Sequence, residues 1–185
     1  DPFDQFTVWW EQATRADIDE VNAMTLSSLN GNTPESRIVL LKGFDKNGFV
    51  FFTNYESAKG QQLKANPACS LLFFWKELER QIRIIGTATP IDATASDAYF
   101  HSRPLGSQLG AWASPQSQVV ENKKWLEEQY AALEKQYQGQ SVIPRPPHWG
   151  GYCVNPSRIE FWQGRPSRMH DRIIYTKEQT EILYI

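Results

Sequence analysis

The chain has 185 residues, 41% of them hydrophobic and 22% charged, with a formal net charge of −2. This length and balance suit a soluble globular fold with a real core, and residues 1–185 read as a single domain. The small net charge argues against a global basic field for nucleic acid, and no apolar run approaches the ~20 residues needed to cross a membrane. Aromatic residues reach 13%, including seven Trp, a richness that packing would use. The N-terminal Asp1-Pro-Phe-Asp4 has neither the basic nor the apolar region of a secretion signal, and the missing initiator Met leads us to expect residues ahead of it.

The spacing of Phe3, Phe6, Val8, Trp9, Trp10 and Ala13 predicts an amphipathic helix over 2–14, capped by Asp1 with Pro2 at its first position. A strand over 23–28 follows, then a turn at Asn30-Gly31 whose loop extends through 32–35. A strand over 37–42 leads into a turn at 45–48 and a strand over 49–53. A short helix runs from Ser57 to Asn66 and stops at Pro67. Two strands are predicted over 69–75 and 80–89, a helix capped by Asp92 through His101, and a helix over 120–137. A Pro-rich linker occupies 139–147, two strands follow over 151–155 and 158–162, and a last pair over 173–175 and 182–185. Short strands joined mostly by hairpins, with helices between them, argue for an antiparallel barrel of mainly β with α character. No dinucleotide-binding or phosphate-loop glycine motif is present, and no repeat. Cys69 and Cys153 lie in strand-like stretches without a C-x-x-C pair. Two buried free thiols in a cytoplasmic protein are expected, with one disulfide the alternative, and no zinc site is expected.

Four segments carry candidate chemistry. In 37–42, Arg37 and Lys42 bracket four apolar residues; on a strand they point to opposite faces unless a bulge or strand end re-aims one. The segment is either a buried strand with solvated ends or a cationic strand edge for a phosphate. Thr53, Ser57 and Lys59 surround a helix start, where amides favour an anion. Tyr99 and Arg103 share a helix face if the helix reaches Arg103, and Ser107 is close by in the chain. In the run 160–172, Arg168, His170 and Arg172 alternate, so an extended backbone would place all three on one face beside Phe161 and Trp162. The flanking arginines disfavour the charged form of His170, and a neutral imidazole there could accept or relay a proton.

Taken in order, RIVLLKGF (37–44), FFTNYES (51–57), ERQIRIIG (79–86), YFHSRPLGSQLGAW (99–112), PQS (115–117), WGGY (149–152) and EFWQG…RMHDR (160–172) resemble the pyridoxine (pyridoxamine) 5′-phosphate oxidase family. The resemblance implies an antiparallel split β-barrel with peripheral helices. It also implies a homodimer with two FMN sites built from both subunits. Charge and hydropathy point to neither nucleic acid nor membrane as a partner, and the lack of a targeting segment fits a cytoplasmic setting. By position it assigns FMN to Arg37, Ile38, Val39, Leu40, Leu41, Lys42, Phe52, Thr53, Lys59, Gln81, Gln116, Ser117, Trp162 and Arg172. It assigns the substrate to Lys42, Tyr99, Arg103, Ser107, Arg168 and His170. Tyr99, Arg103 and Ser107 would take the phosphate, and Arg168 and His170, the implied catalytic pair, would lie over the pyridine ring.

The implied reaction is oxidation of pyridoxine or pyridoxamine 5′-phosphate to pyridoxal 5′-phosphate in vitamin B6 biosynthesis and salvage. O2 would be the acceptor, with H2O2 released and NH3 from the amine. Two positions and one segment depart from the family pattern: Ala58 stands where Arg is usual, Met169 where Leu is usual, and the end Ile182-Leu-Tyr-Ile185 where Arg-Leu-Ala-Pro is usual. Two alternatives remain: a related flavin oxidase of a reduced aromatic, as in phenazine pathways, or a non-catalytic FMN- or haem-binding barrel.

Overall fold

The structure, a computed structural model, describes residues 1–176 and the backbone of 180–184. The chain forms two compact units, one of residues 1–51, 66–89 and 153–185, the other of 52–65 and 90–152. The strands are β1 (Ala23–Asn30), β2 (Thr33–Leu40), β3 (Gly43–Asp45), β4 (Gly48–Asn54), β5 (Ala68–Trp75), β6 (Arg80–Pro90), β7 (Trp149–Gln163), β8 (Asp171–Thr176) and β9 (Thr180–Tyr184). They form one sheet in the order β2-β1-β5-β6-β7-β4-β3, with β8 paired to β7 and β9 to β8. The fold is the antiparallel split-barrel class expected, with helices α1 (Pro2–Arg15), α2 (Ala58–Ala65), α3 (Ala93–Ser102), α4 (Leu105–Ala113) and α5 (Lys123–Gln136).

In the first unit, β2 and β3 stand at opposite ends of the strand order yet are neighbours in the chain. Two residues, Leu41 and Lys42, join them and span roughly 7 Å at most when extended. The sheet therefore curls until its edges meet. The Leu41 N–H donates to the Asn22 carbonyl at 2.8 Å, and the Lys42 N–H donates to the Val50 carbonyl at 2.8 Å. α1 fills the inside of this curl. The Asp1 carboxylate accepts the Phe3 N–H at 2.8 Å, and Pro2 opens the helix. The buried stripe is Phe6, Trp9 and Ala13. Phe6 meets Phe44, Phe49 and Phe73 at centroid distances of 4.6, 4.9 and 5.5 Å, and Trp9 meets Phe161 at 5.3 Å. One helix thus contacts rings from β3, β4, β5 and β7.

The second unit buries Phe100, Leu109, Ile143 and Trp149, with Phe52, Tyr99, Trp112 and Tyr130 packed against them. Asp92 caps α3 by accepting the Ala95 N–H at 2.8 Å. Ser57 Oγ accepts the Gly60 N–H at 3.3 Å at the start of α2, as expected of a cap.

Several boundaries differ from expectation. The loop after Asn30 is only Gly31-Asn32, because Leu29 pairs with Pro34 and Ser28 with Glu35; β2 is an edge strand, where proline removes no ladder bond that matters. The expected strands at 151–155 and 158–162 are one strand, β7, which runs through Pro156. Gly86 permits this, since a Cβ there would lie 2.3 Å from the Asn155 carbonyl oxygen. α4 was not anticipated: Gly106 and Gly110 weaken its propensity, and burial of Gln108, Leu109 and Ala113 overrides that. α5 starts at Lys123 rather than 120, because Asn122 accepts the Trp125 N–H at 2.8 Å and caps it there. The last expected pair is β8 with β9, apart from residue 185, which lies outside the described residues. Both cysteines are free; Cys69 is buried and Cys153 half-buried. Burial pushes the Cys69 thiol up to about 11.

Phe6→Ala is expected to lower the unfolding free energy by about 3–5 kcal/mol in urea titrations, and Val8→Ala, half exposed on the same helix, by under about 0.5 kcal/mol.

Candidate active site

Strand register gathers part of the expected cofactor set on one face of the first unit. Ile38 lies opposite Thr25, Thr25 opposite Leu72, and Leu72 opposite Arg83. Period-two alternation adds Phe74, Gln81 and Ile85 to that face. Arg83 reaches Glu160 of β7 at 3.5 Å, which brings in Trp162 by alternation and Arg172 by pairing. Gln81, Trp162 and Arg172 therefore share a face with the exposed Ile38 and Phe74. Val39 and Leu41 turn inward and are buried. Arg37 also lies on the inner face, where it donates to Ser28 Oγ and to the Glu35 carbonyl at 3.2 Å. Lys42, just past the end of β2, is exposed and borders a groove of about 510 Å³ with Trp10, Asn22 and Phe44.

Glu160 ties three arginines of this face together, which the sequence reading does not anticipate. It is 2% exposed, and its carboxylate lies 3.5 Å from Arg83, 3.3 Å from Arg158 and 3.5 Å from Arg172. A buried carboxylate needs such compensation. The signal was available: Arg158, Glu160 and Trp162 alternate, so a strand must place them together. The Arg172 contact is Coulombic, because its buried Nε makes no hydrogen bond among the described residues.

The run 165–171 corrects the expectation of an extended backbone. Pro166–Arg168 form a single 3₁₀ turn, Ser167 and Arg168 hold φ of 59° and 63°, and β8 starts only at Asp171. Arg168, His170 and Arg172 are therefore not aligned by strand alternation. Arg168 is exposed. His170 packs on Trp162 at 4.7 Å and accepts the Arg165 N–H on Nδ1 at 3.0 Å. The Arg165 side chain pairs with Asp171 at 2.7 Å.

In the second unit, Thr53, Lys59 and Gln116 converge. The Gln116 Oε1 atom accepts from Lys59 Nζ at 3.1 Å and from Thr53 Oγ1 at 3.4 Å. Ser117, exposed, holds φ of 69°. A separate cluster forms on stacked aromatic rings: Phe52 lies 3.9 Å from Tyr99 and 5.4 Å from Trp149. Arg103 caps the C-terminus of α3, with its guanidinium 4.7 Å above Trp149. Its Nη1 is buried and has no hydrogen-bond partner among the described residues. Burial lowers the Arg103 pKa and nearby Tyr99 opposes that shift. Ser107 sits in the first turn of α4, its N–H bonded to the Pro104 carbonyl at 2.8 Å. Trp149 was missed as a platform. Its place is set by Arg145, which donates to the Trp149 carbonyl and pairs with Asp97 at 2.6 Å. Among the described residues, no cluster of His, Cys, Asp or Glu could hold a metal ion.

Two family descriptions match the chain: "Pyridoxamine 5′-phosphate oxidase" over residues 10–137, and "Pyridoxine 5′-phosphate oxidase C-terminal dimerisation region" over residues 149–182. A pyridoxine/pyridoxamine 5′-phosphate oxidase of Synechocystis is 61% identical over 173 residues, covering 93% of this chain and 80% of that protein. One of Paraburkholderia phytofirmans is 56% identical over 177 residues, covering 95% and 82%. Among solved structures, PhzG of Burkholderia lata, in complex with tetrahydrophenazine-1-carboxylic acid, has a TM-score of 0.94 at 27% identity and covers 100% and 93%. An FMN-binding, pyridoxamine 5′-phosphate oxidase-related protein of Nostoc punctiforme shares the fold, with a TM-score of 0.77 at 17% identity over 100% and 98%.

Glu160→Gln should leave three arginines without their counter-charge. The expected loss is about 1–3 kcal/mol in urea unfolding, below that of a fully buried pair because the arginines reach solvent. A change under about 0.5 kcal/mol would contradict the assignment.

Proposed function

The chain belongs to the pyridoxamine 5′-phosphate oxidase family, and on that premise we propose that it oxidises pyridoxine 5′-phosphate and pyridoxamine 5′-phosphate to pyridoxal 5′-phosphate with FMN as cofactor. The observation that carries the substrate class is Arg103. A guanidinium nitrogen buried on an aromatic platform without a partner costs about 1–3 kcal/mol, which an anionic ligand would offset. Tyr99 stands beside it and Ser107 follows across Pro104, a set suited to a phosphate monoester. A reduced aromatic without phosphate would leave Arg103 unsatisfied, which favours the vitamer phosphates over a phenazine-type substrate.

The residues also suit FMN. Lys59, Thr53 and Gln116 offer donors at the start of α2 for a phosphate. Gln81, Trp162 and Arg172 offer a flat ring, an amide and a cation on one sheet face. Arg37, Lys42, Phe52, Ser117 and the backbone of 38–41 complete the proposed set. Ala58, exposed at the start of α2, adds no cation where the family usually has one. FMN, when bound, supplies the two-electron acceptor, and O2 then takes the electrons and gives H2O2. The alcohol needs O2 alone, whereas the amine also needs one water and releases NH3.

The chain's residues bind and orient. Tyr99, Arg103 and Ser107 anchor the phosphate remotely, and Arg168 and His170, together with Lys42, hold the pyridine ring so that C4′ is presented correctly. The exposed Ile38, Phe74 and Ile85 on the face that carries Gln81 support a homodimer in which each FMN site draws on both subunits. No described helix is long and apolar enough to cross a membrane, and the two free thiols suit a cytoplasmic setting.

Oxygen uptake by the FMN-loaded protein tests this reading. Arg103→Ala should raise KM for pyridoxine 5′-phosphate by about 10- to 100-fold with a smaller change in kcat, because phosphate contacts are made equally in ground and transition states. An unchanged KM would remove Arg103 from the phosphate site. Arg168→Ala should slow flavin reduction about tenfold or more in anaerobic stopped-flow traces while FMN stays bound. An unaltered reduction rate would contradict its role.

A further inference from the structure

We propose that Arg165 and Asp171 are positioning residues that fix His170 as a hydrogen-bond donor through Nε2, so that this ring does not serve as the proton acceptor. The inference rests on the reading of His170 as a substrate residue. A backbone amide can only donate, and the Arg165 N–H lies 3.0 Å from His170 Nδ1. Nδ1 therefore carries the lone pair, and the neutral ring holds its single proton on Nε2. Protonating Nδ1 would set one N–H against another and break the bond. Trp162, 4.7 Å from the imidazole and inclined at 46°, fixes the ring from one side.

The contact depends on a tight loop that would not hold by itself. Ser167 and Arg168 adopt φ of 59° and 63°, and neither is glycine. Consecutive left-handed residues disfavour this conformation unless something closes the loop. The Arg165–Asp171 pair does so: Nε and Nη2 of Arg165 both lie 2.7 Å from Asp171 Oδ2. The clamp joins the residue whose N–H orients His170 to the residue directly after His170. Asp171 also starts β8, opposite Gln163 of β7, so the clamp is tied to the sheet. Arg165 and Asp171 thus act on the substrate through His170. With Nε2–H facing the pyridine ring, His170 donates to an oxygen or lone pair there. The proton lost from the C4′ oxygen or nitrogen passes to water instead.

The protein has three histidines, so each ring is assignable. Long-range ¹H–¹⁵N spectra of the ¹⁵N-histidine-labelled holoenzyme, with His170→Asn for assignment, read the tautomer directly. The expected result for neutral His170 is a pyridine-like Nδ1 and a pyrrole-like Nε2. A pyrrole-like Nδ1, or averaged signals from both tautomers, would overturn the proposal. Asp171→Asn should average the two signals and lower kcat for pyridoxine 5′-phosphate about tenfold with FMN affinity unchanged, and Asp171→Glu should restore both. An Asp171→Asn protein with wild-type tautomer and kcat would equally overturn it. If the wild-type holoenzyme fails to oxidise the vitamer phosphates, the proposed activity falls, while the tautomer spectra still decide the role of the clamp on the ring.

Discussion

The link of Leu41 and Lys42 between β2 and β3 governs the rest of the structure. Two residues cannot bridge the edges of a flat sheet of this strand order, so the sheet curls and its inner and outer faces become unequal. The inner face takes α1, whose Phe6 and Trp9 meet rings from four strands. The outer face keeps Ile38, Phe74 and Ile85 exposed, in register with Gln81 and Arg83. The strand that carries the first candidate motif is thus also the strand that closes the barrel. Val39 and Leu41 serve the core, while Ile38 and Leu40 face outward.

Charge is handled in two opposite ways. On the outer face, three arginines surround Glu160, and its burial is compensated within the chain. In the second unit, Arg103 is desolvated over Trp149 with Nη1 unsatisfied. A guanidinium nitrogen left without a partner in this way is open to an anion, and its planar fork suits a phosphate. The contrast separates charge compensated within the chain from charge that is not.

Much of this was legible in the sequence because the signals are local. Asp1-Pro2, Asp92 and Ser57 announce helix starts, and the apolar run of 69–75 and the alternation within 80–89 announce strands. The cofactor and substrate candidates came from resemblance, and the structure brings Thr53, Lys59 and Gln116 together and places Tyr99 near Arg103. What was not legible depends on tertiary context. α4 carries two glycines and forms because its apolar side is buried. β7 passes through Pro156 because Gly86 leaves room. The shared face expected of Arg168, His170 and Arg172 assumed an extended backbone, whereas Ser167 and Arg168 turn left-handed under the Arg165–Asp171 clamp. The pairing of Arg165 with Asp171 likewise becomes apparent only once the loop is folded.

The central claim is oxidation of B6 vitamer phosphates at the expense of O2. The most direct measurement follows O2 uptake, pyridoxal 5′-phosphate, H2O2 and NH3 together in the FMN-loaded protein, with pyridoxine 5′-phosphate, pyridoxamine 5′-phosphate and unphosphorylated pyridoxine. The expected result is equimolar uptake, aldehyde and peroxide with both phosphates, NH3 from the amine alone, and little turnover of pyridoxine. Equal turnover with and without the phosphate, or O2 uptake without pyridoxal 5′-phosphate, would contradict the account.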